Sequence, residues 1–335
     1  MILFYCLGLH QSGGLSVLDT LIGQSSINND FHYYFDRRAK NKIKNTIYKN
    51  VYFKNSNLLI RIYDEFLLSR SRSFDKIIFL NGLPSFFINK KAISIVLFQN
   101  INIFKSKDRN FFNWFFSMDL IRFLKFYFFK HKVDEWAVLS MNAKRQLEKF
   151  LNKSSKIVLI NIEQYNEIQI LKSHKEFDFI FPATLGYHKN HEKLIEAFIL
   201  LAKDNIFPRL LLTLTRKELN STNFEKLTNI FKLNIVYKNF DIREISSIYS
   251  KSKALVFPSF VETLGLPLIE AKKFKLDVLA SELDYVRDIL DPNETFDPQS
   301  SLSMYRAIKR YLKINSNNKN NFIDYESYLK YLEIK

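Results

Sequence analysis

One cysteine, Cys6, stands among 335 residues, so the chain can close no intramolecular disulfide and offers no cysteine set for structural zinc. A reducing, cytosolic setting is the default for such a composition. Acidic residues are scarce beside basic ones, 34 against 50, which leaves a formal charge of +16. An excess of that size asks for an anionic partner, and no helix-turn-helix or RNA-binding signature accompanies it. Anionic lipid is therefore expected rather than nucleic acid. The most apolar stretch, 111–129, is broken by Asp119, Arg122 and Lys125 and is too interrupted to span a bilayer. Residues 1–7 lack the basic lead and apolar core of a signal peptide and read as a first buried strand. No internal repeat and no Asp-x-Asp motif are found, and His10, His188 and His191 have no carboxylate or cysteine set to complete a metal site.

What is present is ample apolar material, with 33 Phe and 17 Tyr, in a chain long enough for two domains. After the first strand comes Gly8-Leu-His10-Gln-Ser-Gly13-Gly14, a loop that is either a tight turn or a ligand-facing strand edge. Residues 36–54 carry Arg37, Arg38, Lys40, Lys42, Lys44, Lys49 and Lys54 against Asp36, a solvated basic loop or a headgroup patch. A helix is expected over 57–71 and buried strands over 76–80, 93–98, 134–139 and 156–160. Gln99 and Asn100 follow one of these strands, where their amides either cap the loop or meet a sugar hydroxyl. In 110–132, Asp119, Arg122 and Lys125 form one polar stripe on an aromatic helix, which reads as an interfacial membrane element or a core helix.

The second half alternates more cleanly. Strands are expected at 179–183, 210–214, 234–237, 254–257 and 277–280, with helices over 191–202, 241–249, 267 onward and 281–290. In the first of these helices Leu194, Ile195, Phe198 and Leu201 share a face. Alternation of this kind requires parallel, doubly wound sheets. The expected division is 1–165, with a terminal helix at 318–335 crossing back to it, and 166–317.

The chain is organised around Pro258–Ala271. A buried strand stops at Pro258, passes a loop with one glycine, Gly265, and enters a helix at Pro267. Strand, loop and helix N-terminus make an anion site, because the first helical amides lack internal partners. Glu262 and Glu270 flank the turn, suited to sugar hydroxyls rather than to a phosphate they would repel; a first-turn Glu also simply complements the helix dipole. In the other loop, Lys189 stands beside Gly186 and before Asn190 and His191. It is equipment for a diphosphate, or an exposed Lys with Asn190 as N-cap.

Phe257-Pro-Ser-x-x-Glu262-x-x-Gly265-Leu-Pro-x-x-Glu270-Ala, with Val278-Leu-Ala-Ser281, Phe296-Asp-Pro298 and the His188-Lys189-Asn190-His191-x-x-Leu-Ile-Glu-Ala-Phe198 segment, resembles the retaining GT-B glycosyltransferases of family 4. The resemblance implies two Rossmann-like domains facing a central cleft, the first binding acceptor and the second nucleotide sugar. It implies a metal-independent hexosyl transfer, with no cofactor, from a nucleoside-diphosphate sugar, a UDP-sugar favoured over a GDP-sugar. The acceptor would be a glycan or polyprenyl-linked, in surface polysaccharide or lipopolysaccharide synthesis at the inner face of the cytoplasmic membrane. Glu262 and Lys189 are implied as catalytic, Glu262 on the donor sugar. Gly13, Gly14, Asn190, Asn239, Phe240, Thr263, Leu264, Gly265, Leu266 and Glu270 are implied as donor-binding, with Glu270 on the ribose. His10, Gln99 and Asn100 are implied on the acceptor or sugar side. Thr184, where relatives carry arginine, and Asn239, Lys275 and Asp277, where relatives commonly carry Gly or Pro, keep open a catalytically inactive GT-B binding protein. A GT-B nucleotide-sugar epimerase is the other alternative.

Overall fold

Two parallel sheets build the molecule. The structure, a computed structural model, describes residues 1–9, 18, 30–43, 50–87, 89–99, 101–104, 118–160, 173–240 and 244–314. Strands β1 (Ile2–Cys6), β2 (Phe31–Asp36), β3 (Val51–Lys54), β4 (Lys76–Phe79), β5 (Ile93–Phe98), β6 (Glu135–Val138) and β7 (Lys156–Leu159) form the first, in the order β3-β2-β1-β4-β5-β6-β7. Strands β8 (Phe177–Phe181), β9 (Leu210–Leu212), β10 (Ile235–Tyr237), β11 (Ser252–Phe257), β12 (Asp277–Ser281) and β13 (Glu294–Phe296) form the second, ordered β10-β9-β8-β11-β12-β13. In each all-parallel sheet the order of strand addition therefore reverses once, between β1 and β4 and between β8 and β11. In open α/β sheets, such switch points at the carboxyl ends of strands are where ligands bind. The expected boundary at 165/166 falls in 161–172, outside the described residues, as does the expected helix at 318–335.

Central strands are buried on both faces, as parallel sheets require, and Leu210–Leu212 and Leu255–Phe257 have no exposed surface. Among the described residues, the first sheet is covered by α1 (Leu58–Arg70), α2 (Met118–Phe129) and α3 (Met141–Glu148). Asn57 caps α1 by accepting the Ile60 N–H at 2.8 Å, and Ser140 caps α3 through Ala143. Beneath these helices lies an aromatic core of Phe98, Phe104, Phe126 and Trp136, with Phe150 stacked on Phe104 at 4.1 Å.

The second sheet carries α4 (His191–Lys203), α5 (Arg216–Asn220), α6 (Phe224–Ile230), α7 (Ile245–Ser250), α8 (Leu266–Lys273), α9 (Asp284–Arg287) and α10 (Ser301–Tyr311). Leu194, Ile195, Phe198 and Leu201 of α4 are all buried, as their spacing predicts. The expected helix 281–290 is only the one-turn α9, because residue 281 still belongs to β12.

Three expectations for the first half need correction. Residues 36–54 are not one basic loop: β2 ends at Asp36, β3 fills 51–54, and two cations are spent on carboxylates. Arg38 grips Asp36 with Nε at 3.0 Å and Nη2 at 2.8 Å, and Lys54 lies 2.8 Å from Asp64. Lys44 and Lys49 lie outside the described residues. Lys125 is not on a solvated stripe, since it is buried against Glu65 at 3.1 Å. Finally, α2 is not apolar against the core all round: Phe126 is fully buried while Ile121 and Phe128 are 59% and 61% exposed. Residues 110–117 of that expected helix are outside the described set.

Candidate active site

The loops after β8 and β11 meet at the second sheet's switch point, and backbone bonds lock them together. Asn190 takes left-handed backbone angles (φ 62°, ψ 37°) that asparagine tolerates better than most residues. Its buried amide donates to the carbonyls of Pro258 at 3.0 Å and Pro298 at 2.7 Å. That geometry spends the Asn190 amide nitrogen on holding two loops, and the side chain does not cap α4. The Phe260 N–H donates to the His188 carbonyl at 2.8 Å, and the Tyr285 hydroxyl to the Ser259 carbonyl at 2.7 Å.

This locking brings Lys189 Nζ to 2.5 Å from Glu262 Oε1, with only 18% and 11% of the two side chains exposed. Behind Lys189, His191 is packed beside Phe181 at 4.7 Å and Phe224 at 6.4 Å. Burial pulls its imidazole down to about 4, so it is neutral at physiological pH. Among the described residues no group of three or more His, Cys, Asp or Glu side chains converges as a metal site would.

Gly265 caps α8 with φ +64°, and a Cβ there would lie 3.0 Å from Ile289 Cδ1 and 3.2 Å from Leu268 Cδ1. Glycine is needed twice over, for the backbone angle and for space. Glu270, one turn into α8, sends Oε2 to the Tyr249 hydroxyl at 2.7 Å. Burial raises the Glu270 carboxyl above its ordinary value, an effect the Tyr249 hydrogen bond partly offsets.

The turn lies between the domains. Leu264, Leu266, Ile269 and Ile289 pack with Cys6, Leu80, Leu97 and Leu139 at the carboxyl edge of the first sheet. Asn142 Nδ2 donates to the Glu262 carbonyl at 2.9 Å, the Ser140 hydroxyl donates to the Thr263 carbonyl, and Arg145 pairs with Asp288 at 2.5 Å. The start of α3 thus holds the backbone of Glu262 and Thr263, just before the Gly265 turn. Leu264 is consequently a buried interface residue.

Asn239 is exposed just past β10, at the same carboxyl edge but two strands from β8. Phe240 packs on the second core with Lys238 over its ring at 4.7 Å. Gln99 is half-buried beyond β5, while His10, Gly13, Gly14 and Asn100 lie outside the described residues. Sequence reasoning missed Ser140, Asn142, Tyr249 and Tyr285. Only Ser140 left a signal, as a helix cap, and nothing local shows that its hydroxyl also reaches the other domain.

Residues 163–327 match the family model described as glycosyl transferases group 1, a span that takes in the whole second sheet and its helices. No curated protein sequence matches the chain. Among solved structures, a glycosyltransferase from Rickettsia africae superimposes with TM-score 0.66 at 17% identity, over 99% of this chain and 97% of its own. HepE of Anabaena, in complex with UDP and glucose, gives TM-score 0.69 at 12% identity over 93% and 90%. WaaG, described as a glycosyltransferase of lipopolysaccharide biosynthesis, gives 0.64 at 12% over 93% and 90%. At these identities the likeness shows the fold, and the fold is GT-B.

Proposed function

We propose that the chain is a retaining glycosyltransferase that moves a sugar from a nucleoside-diphosphate sugar to a glycan or polyprenyl-linked acceptor. The observation that carries this reading is the Lys189–Glu262 pair, set beside the glycine-capped N-terminus of α8 at a sheet switch point and facing the other domain. Lys189, Gly265 and Leu266 hold the diphosphate, where a lysine charge and a helix N-terminus favour the negative charge that grows as the glycosidic bond breaks. Glu262 contacts the donor sugar. Glu270, with one oxygen held by Tyr249, keeps the other for the ribose hydroxyls. Transfer needs no metal in this reading, and a UDP-sugar is the favoured donor. The family match and HepE's bound UDP and glucose support the donor class. The description of WaaG supports a setting in lipopolysaccharide or surface polysaccharide synthesis.

Attachment to the inner face of the cytoplasmic membrane belongs to the same reading. Helix α1 turns Leu59, Tyr63 and Leu67 outward, and neighbouring α2 turns out Ile121, Leu124 and Phe128. Arg70 of α1 and Arg122 of α2 are exposed on the same two helices, whereas Asp64 and Glu65 of α1 are buried. Exposed apolar and cationic side chains on the same helices fit an anionic lipid surface. Among the described residues no helix is long and apolar enough to cross a membrane.

The test is incubation with a panel of nucleotide sugars and a membrane-derived acceptor extract, the product's anomeric configuration being read by proton NMR. Transfer with retained configuration supports the proposal. A sugar isomer released without acceptor, or no turnover of any donor, contradicts it.

A further inference from the structure

The first sheet has its own switch point, at the ends of β1 and β4, and its charges do not balance there. Lys54 pairs with Asp64 at 2.8 Å, and Lys125 with Glu65 at 3.1 Å. Glu65 is completed by the Phe86 N–H at 2.7 Å and the Ser85 hydroxyl at 3.2 Å. The third cation, Arg61 in the first turns of α1, has no carboxylate within 4 Å among the described residues, and its Nε is buried without a partner. Its guanidinium lies over the turn that leaves β1, since a Cβ on Gly8 would be 3.5 Å from Nη1.

Further polar atoms are in the same condition at the ends of β1 and β4, where the Leu80 N–H donates to the Tyr5 carbonyl at 3.0 Å. Tyr5, fully buried on β1, has its phenol beside Arg61, which acts on it by charge and by side-chain hydrogen bonding, while the hydroxyl finds no acceptor for its own proton. Asn81, just past β4, has a buried and unpartnered Nδ2, and Asp64, 6% exposed, has an unpartnered Oδ2. Buried polar groups are normally paired, and leaving several unpaired at one sheet edge is costly. A water molecule can satisfy hydrogen bonds there, but it leaves the guanidinium without a counter-charge.

We propose that Arg61, with the Tyr5 hydroxyl and the Asn81 amide, forms an anion subsite on the acceptor side of the cleft. The group it takes is a phosphate or a carboxylate carried by the acceptor. Oxygens of either group accept from Nε, Nη, the phenol and the amide together. Asp64 Oδ2, which would repel an oxyanion, is left to accept a hydroxyl next to the anionic group. The inference rests on the proposed transferase reading for the word acceptor, though not for the site.

The experiment uses the full chain saturated with UDP, so that the second domain's phosphate-binding loops are filled. It is titrated calorimetrically with sn-glycerol 3-phosphate in one arm and glucuronate in the other. One of the two is expected to bind, identifying phosphate or carboxylate as the source. Arg61→Gln is expected to weaken it at least tenfold and Tyr5→Phe about threefold, with UDP affinity unchanged. Arg61→Lys, which keeps a charge and guards against misfolding, is expected to recover part of the loss. If neither probe binds UDP-loaded protein, or both bind the Arg61→Gln variant as well as the natural chain, the subsite is overturned. If UDP itself fails to bind, the transferase reading falls instead, and the Arg61 dependence of probe binding still decides the subsite.

Discussion

Lys189 and Glu262, 73 residues apart, are held as an ion pair at 2.5 Å by the loops that leave β8 and β11. Each holds the other in place, and each is assigned a different part of the donor. Replacing Glu262 by Gln is therefore expected to leave UDP affinity within about twofold and to lower kcat by roughly a hundredfold or more. Steady-state kinetics beside calorimetry separates the two effects. An equal loss of binding and turnover would remove Glu262 from the sugar.

Gly265→Ala puts a side chain where φ is +64° and Ile289 Cδ1 is 3.0 Å away. The left-handed angle alone costs about 1–2 kcal/mol for a non-glycine residue. A lower Tm, by several degrees, is expected in thermal unfolding, with weaker UDP binding in the same preparation. An unchanged Tm and unchanged affinity would mean that the turn relaxes freely and has no part in binding.

Glu270 makes a pH prediction with a definite sign. Its carboxyl is raised in the folded state, so the folded chain holds this proton more tightly than the unfolded chain does. That contribution favours folding at low pH and is lost as pH rises from the ordinary 4.5 through the raised folded value. Glu270→Gln removes the dependence. Measured across pH, the Tm of the variant relative to the natural chain should climb through that window and then level off. A difference that stays flat would show that Glu270 carries no burial penalty.

Leu59 and Phe128, 78% and 61% exposed, are the most exposed large apolar side chains of α1 and α2 among the described residues. Leu59→Glu combined with Phe128→Glu should abolish co-sedimentation with vesicles containing anionic lipid, while UDP binding is preserved. Equal sedimentation of the natural chain with neutral and anionic vesicles would contradict the electrostatic part of the attachment.

Legibility in the sequence followed local independence. The second sheet could be read because its strands are continuous apolar runs, such as Ala254–Phe257, separated by amphipathic helices such as α4. Strands β2 and β3 could not, because Phe31–Asp36 and Val51–Lys54 mix aromatic, acidic and basic residues whose partners are partly distant in sequence. Asp36 illustrates this: burial opposes its charge, but hydrogen bonds from Arg38, Ser56 and the Gly8 N–H outweigh that and keep it ionised. The motif residues Lys189, Glu262, Gly265 and Glu270 could be singled out through their resemblance to family motifs, their spacing alone being a weak signal. Their supports could not be, since Ser140, Asn142 and Tyr249 reach them only through the tertiary fold. Asn190 was readable as important, though its task is to tie Pro258 to Pro298.

The most direct test of the central claim is calorimetric titration of UDP into the natural chain and into Lys189→Met. The account predicts saturable binding of one UDP per chain, weakened roughly 10- to 100-fold in the variant, the scale of about 1.5–3 kcal/mol for a hydrogen bond to a charged group. No binding of UDP, GDP, CDP or dTDP, or UDP affinity indifferent to Lys189, would contradict it.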